Sequence, residues 1–201
     1  MCVYTIGIGM GLTKRSRSKP RNKTVRSVYS QTDYDSNDGM LTTVWGPSFW
    51  HTLHTMSFNY PVNPTADDKH KYRNYVLSLK YVLPCGKCRK NIRKNFKKLP
   101  LTMKHMKNRA TFSKYMYDLH EVVNTMLKKK SGLSYEDVRE RYEHFRSRCT
   151  IQVQPTVEKG CVKPLYGEKS KCVLKIVPQD EKCESFAIDD KCIKRDLSTV
   201  F

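Results

Sequence analysis

Between positions 50 and 145 the apolar residues return every three or four places and almost nowhere every second place. Side chains three and four apart share one face of an α-helix, whereas a half-buried strand needs strict alternation. The pattern therefore restricts the middle of the chain to helices. Pro47 and Ser48 can open the first helix, and Trp50, Leu53, His54 and Ser57 follow at helical spacing. It is expected to stop near Asn59-Tyr60-Pro61, because the residue before a proline avoids the α region. Thr65-Ala66-Asp67-Asp68 supplies an N-cap and early negative charge for a second helix, with Tyr72, Tyr75, Val76, Leu79 and Leu83 as its stripe. Pro84 ends that helix. A third begins around Cys85, with Cys88, Ile92 and Phe96 on one face, and residues 99–110 form a connection. Phe112, Tyr115, Met116, Leu119, Val123 and Met126 line a fourth, beside a second stripe of His120, Asn124 and Leu127. Ser134-x-x-Asp137 caps a fifth, faced by Tyr135, Val138, Tyr142 and Phe145. Five helices with short links pack as an all-α bundle.

Charge divides the 201 residues unevenly. Residues 1–40 carry net +4, residues 41–150 net +14 and residues 151–201 net +1, within a total of +19. The positive field thus belongs to the helical section and is no detachable basic tail. Residues 1–40 read as a basic extension, disordered over 13–39 where Ser, Lys, Arg, Asn and Asp dominate without apolar period. Met40 opens the folded pattern and is an alternative start to Met1. The apolar opening precedes its basic stretch, the reverse of a secretory signal, and no apolar run approaches the ~20 residues of a spanning helix. Residues 151–201 scatter Val153, Val162, Val173, Leu174, Ile176 and Val177 among Pro, Gly and Lys, and read as a small cysteine-bearing appendage with short strands.

Of the 8 cysteines, Cys85 and Cys88 form the single C-x-x-C pair. A zinc ribbon needs a second such pair, so no metal is expected. At a helix N-terminus the partial positive charge favours a thiolate, and no acid interrupts the basic run from Lys87 to Lys98. These are the conditions for a reactive dithiol. A thioredoxin-like arrangement needs a strand leading into the pair; here a helix leads in. A dithiol in an all-helical protein needs an electron acceptor, and a flavin is suited to that task.

Four stretches in order are similar to the FAD-linked sulfhydryl oxidases of the Erv/ALR family. WGPSFWHTLHTMSFNYP, residues 45–61, resembles the family's first helix through Trp50, Leu53, His54, Tyr60 and Pro61. Pro84-Cys85-x-x-Cys88 resembles its redox-active pair. LHEVVNTMLKK, residues 119–129, matches through His120, Val123, Asn124, Leu127 and Lys129, and Val138-x-Glu140-Arg141-Tyr142 resembles the end of the core. The likeness spans roughly residues 44–148 and is greatest to the versions carried by large DNA viruses.

The resemblance implies a five-helix core, a four-helix bundle plus one, that cradles FAD, is usually homodimeric, and occupies residues 41–150. It implies FAD contacts from Trp50, His54, Asn59, His120, Val123, Asn124 and Lys129, with Arg141 and Tyr142 closing the adenine side. Cys85 and Cys88 become the catalytic residues, passing electrons from dithiol proteins through FAD to oxygen, with hydrogen peroxide as product. A viral chain of this kind belongs in the host cytoplasm or the virion. The sequence departs from the family at Pro47, where an Arg is usual, and at Glu121, where an Asn is usual. No cysteine lies between Ser131 and Tyr135, which leaves Cys149 as an alternative partner for the tail. Cys161, Cys172, Cys183 and Cys192 can staple the appendage or shuttle electrons, and their even gaps favour stapling. The competing readings are a basic nucleic-acid-binding module, which the pI of about 9.6 would suit, and a structural virion protein. Against the first, the aromatics line helix cores and do not interleave with the basic run.

Overall fold

The structure, a computed structural model of the chain, describes residues 4–5, 30–149, 161–174, 176–178, 181 and 188–193. Helices α1 (Gln31–Tyr34), α2 (Thr42–Phe58), α3 (Ala66–Val82), α4 (Gly86–Lys98), α5 (Arg109–Met126) and α6 (Tyr135–Glu143) make up the fold, with a 3-10 turn at Met103–Met106. The fold is all-α, and the five expected helices are α2 to α6. Short strands flank them. β1 (Tyr4–Thr5) pairs antiparallel with β4 (Val173–Leu174), and β2 (Ser147–Cys149) pairs antiparallel with β3 (Cys161–Pro164).

The helix starts follow from local chemistry. Thr65 and Asp68 exchange side-chain and backbone hydrogen bonds at the head of α3, and Ser134 and Asp137 do the same for α6. Each such box satisfies two of the backbone donors that a helix start leaves orphaned. α2 differs from expectation: it begins at Thr42, and Pro47 lies inside it. Gly46 explains the tolerance, since the α conformation before a proline is barred mainly by the preceding side chain and glycine has none. A strand also appears before residue 150, at β2. Within the segment read as a disordered extension, Gln31–Tyr34 is helical and capped by Ser30. Cys2 and Cys183 lie outside the described residues.

The core gathers one face from each long helix. Leu53 of α2, Val76 and Leu79 of α3, Ile92 of α4 and Phe112, Tyr115, Met116 and Leu119 of α5 are all buried. Their hydroxyls are not left bare: Tyr115 donates to the Leu99 carbonyl at 3.0 Å, and buried Tyr60 donates to the Met106 carbonyl at 3.0 Å. Tyr75 and Met126, expected on the inner stripes, stand at the edge with 39% and 40% exposure. α2 packs chiefly on α5, and α3 on α4, so the helices that carry the matched histidines are direct neighbours.

Candidate active site

Cys85 is the N-cap of α4, and Cys85 and Cys88 are joined by a disulfide. The Cys88 backbone N–H donates to Cys85 Sγ at 3.2 Å. A second helix start meets the same pair, because Thr42, the first residue of α2, places its hydroxyl 3.3 Å from Cys88 Sγ. A disulfide sulfur carries no proton, so the hydroxyl is the donor. The chain entering α2 straps across the pair. The Met40 N–H donates to the Pro84 carbonyl at 2.9 Å, and the Trp45 indole N–H donates back to the Met40 carbonyl at 3.1 Å. At Gly39 a Cβ would sit 3.0 Å from both Cys85 Cα and the Pro84 carbonyl oxygen. Glycine lets the strap lie that close without crowding the backbone of Pro84 and Cys85.

Further along α2 the wall of a cavity begins. The cavity, about 200 Å³, is lined by His54, Tyr117, His120, Glu121, Asn124, Lys129, Lys130, Arg141 and Tyr142 among others. Trp50 stacks on His120 with ring centroids 4.0 Å apart and planes 3° from parallel. His54 Nε2 and His120 Nδ1 share a hydrogen bond of 3.0 Å. Tyr142 stacks on Phe58 at 5.2 Å and meets His51 Nδ1 through its hydroxyl at 3.1 Å. A continuous aromatic wall results, built from α2, α5 and α6.

Burial decides the charge of this wall. It pushes His54 down to about 3, with His120 and His51 adding to the effect. It pushes His120 down to about 4. Both imidazoles are therefore neutral near pH 7, and the Tyr142 phenol, raised by burial, is protonated. Positive charge is confined to Lys129, Lys130 and Arg141 against the single carboxylate of Glu121 in the lining. His54 Nδ1 is buried without a hydrogen-bond partner. A buried polar atom unpaired in this way carries a desolvation penalty that a polar ligand group can relieve.

Lys129 reaches the lining through the end of α5. Lys128 adopts a left-handed φ of 56°, the Lys128 N–H donates to the Thr125 carbonyl at 3.0 Å, and the Lys129 N–H donates to the Asn124 carbonyl at 2.8 Å. This pair of bonds is a Schellman closure, which normally uses glycine. It turns the chain so that three successive lysines leave the helix together.

Of the residues singled out from sequence, His54, His120, Asn124, Lys129, Arg141 and Tyr142 meet around one cavity, with Trp50 stacked on its histidine wall. Val123 and Asn59 are not among the lining residues. Asn59 instead accepts from the Arg146 guanidinium at 3.4 Å. Cys85 and Cys88 meet the head of α2 at Thr42, whereas Trp50 and His54 lie about two and about three turns further along that helix. Sequence reasoning missed Thr42, the strap and His51. The first two act across 46 positions or through backbone, for which no local spacing gives a signal. His51 could have been found, since it lies three residues before His54 on the same helix. Glu121, noted only as a departure, receives the Asn124 side-chain amide at 2.8 Å and so orients that residue.

The family model described as "Erv1 / Alr family" matches residues 47–143. Among curated proteins, the probable FAD-linked sulfhydryl oxidase R368 of Acanthamoeba polyphaga mimivirus is 40% identical over 99 residues, covering 49% of this chain and 68% of that one. The putative FAD-linked sulfhydryl oxidase 347L of Invertebrate iridescent virus 6 is 33% identical over 93 residues, covering 43% of this chain and 81% of that one. Among solved structures, the yeast Erv1 core aligns with a TM-score of 0.47 at 20% identity, over 61% of this chain and 96% of that one.

Proposed function

The chain belongs to the Erv1 / Alr family, and from that membership we propose that it is an FAD-linked sulfhydryl oxidase that makes disulfides in dithiol proteins and delivers their electrons to oxygen. The observation that carries the reading is the Cys85–Cys88 disulfide held at two helix starts, with α2 running from it to the histidine cavity. The oxidase unit is residues 41–150, flanked by the extension 1–40 and the appendage 151–201. It works as a homodimer. No helix among the described residues is long and apolar enough to cross a membrane, and the viral relatives favour the host cytoplasm or the virion.

The residues present fit FAD. Trp50, His54, His120 and Tyr142 offer flat faces, Lys129 and Arg141 offer positive charge for a pyrophosphate, and His54 Nδ1 offers an unpaired polar atom. Asn124, oriented by Glu121, completes the proposed set, whereas Asn59 and Val123 lie outside the cavity lining. The chemistry that bound FAD supplies is acceptance of two electrons from the reduced pair and their delivery to oxygen, which becomes hydrogen peroxide.

The chain's own residues carry the thiol steps. A substrate thiolate attacks Cys85 Sγ, the Cys85–Cys88 bond breaks, and Cys88 leaves as a thiolate. The Thr42 hydroxyl and the N-terminal end of α4 stabilise that anion. The second substrate thiolate then attacks the substrate sulfur of the mixed disulfide and releases Cys85, whose anion accepts from the Cys88 N–H. The substrate loses two electrons and two protons, and the pair gains the two electrons.

Purified protein is expected to be yellow and to consume oxygen with dithiothreitol. Cys88→Ser is expected to keep the flavin spectrum and lose turnover by at least about a hundredfold. A colourless protein that stays so with added FAD, and consumes no oxygen, overturns the reading.

A further inference from the structure

We infer that the outer face of α4 is a docking surface for an acidic segment of the dithiol substrate, running away from the reacting cysteine. The inference rests on the oxidase reading and adds to it the chemistry of the protein that is oxidised. Lys87, Lys90, Arg93, Lys94, Lys97 and Lys98 are all exposed. At about 100° per residue they fall within an arc of about 140°, opposite the face that buries Ile92 and Asn95. α4 has no acidic residue, and among the described residues no ion pair involves it. Six like charges along one short helix repel one another, which a chain tolerates most readily when a partner neutralises them.

The placement makes the partner a substrate. The stripe starts at Lys87, between the two cysteines in sequence, so an anionic chain lying on it ends within one helical turn of Cys85, at the head of α4. The helix is 13 residues long, about 20 Å at ~1.5 Å per residue. An extended peptide covers that in about six residues at ~3.3 Å each. The favoured substrate therefore carries Asp or Glu within about six residues of its reacting cysteine. A polypeptide is favoured over a nucleic acid because α4 itself presents no exposed aromatic ring along the stripe, and a single-stranded nucleic acid stacks successive bases on successive rings. Phe96 of α4 packs into the core instead, and Tyr81 of α3 already lies under Lys80 and Arg93.

The test uses the full chain and dithiol peptides with one cysteine pair and flanks of either Asp and Glu or Lys. At about 20 mM salt the acidic peptide is expected to show kcat/KM at least about tenfold higher, collapsing to near parity at about 300 mM as screening sets in. The triple variant Lys90→Gln/Lys94→Gln/Lys97→Gln is expected to lose the preference and keep its rate on dithiothreitol. Fluorescence anisotropy of the acidic peptide with serines for cysteines reads docking without turnover, so a failure of the oxidase reading does not mask the result. Equal use of both peptides overturns the inference, as does an undiminished preference in the triple variant. So does tighter binding of a 20-nucleotide single-stranded DNA than of the acidic peptide at about 150 mM salt, which would make α4 a nucleic-acid surface.

Discussion

Cys88 draws its nearest side-chain hydrogen bond from Thr42, 46 positions earlier in the chain. The contact matters because a hydrogen bond to an ionised group contributes roughly 1.5–3 kcal/mol, and the sulfur becomes ionised only when the disulfide opens. Thr42→Val keeps the shape and removes the donor. In a Cys85→Ser background this change is expected to raise the Cys88 thiol, since the thiolate loses its donor, read as an upward move in the pH dependence of its alkylation. An unmoved profile would show that the hydroxyl does not face the thiolate. Asn59 gives the opposite lesson. The motif made it a cofactor contact, yet its side chain is turned towards Arg146, which also donates to the Phe58 carbonyl at 3.0 Å.

At the scale of elements, the helices are set by their ends. Threonine and serine caps with an acid three residues on were readable at Thr65 and Ser134 because the capping chemistry is local. The end of α5 was not, since Lys128 stands where such a closure usually has glycine. A left-handed residue with a side chain costs about 1–2 kcal/mol, and Lys128 does not line the cavity. Lys128→Gly is accordingly expected to raise stability by about 1 kcal/mol in urea unfolding while flavin content is unchanged. A loss of stability would mean that the lysine side chain contributes more than its backbone conformation costs. Pro47 belongs to the same class. It marked a helix start by rule, but Gly46 before it and one more turn of helix behind it moved the start to Thr42.

Across the whole molecule, the buried imidazoles tie stability to pH. His54 and His120 titrate in the folded chain at about 3 and about 4, against 6.5 for a free histidine. Between pH 6.5 and 4 the unfolded chain therefore binds protons that the folded chain does not. Stability is fully present above that window and falls as pH drops through it. At pH 5 the loss from this pair is at least about 2 kcal/mol, at ~1.4 kcal/mol per unit of pKa shift. Calorimetry at pH 7 and pH 5 should show the drop, and His120→Gln should make it shallower. An equal drop in that variant would assign it elsewhere.

The sequence by itself determined the five long helices, the fold class and the C-x-x-C pair at the head of α4. Each depends on spacing within a few residues: the three-to-four repeat of Leu, Val, Tyr and Phe, the capping signals, and Pro84 before Cys85-x-x-Cys88. It also brought His54, His120, Asn124, Lys129, Arg141 and Tyr142 into one reading, through a resemblance that holds at those positions although it fails at Pro47 and Glu121. Only the tertiary structure decided how those groups are used. Packing α2 on α5 buries two histidines against each other and makes them neutral, and it leaves Nδ1 of His54 without a partner. Folding the entry strap over Pro84 sets Thr42 on Cys88 and leaves little room for a side chain at position 39. Those effects arise from burial and from contacts between distant segments, which no local spacing in the chain encodes.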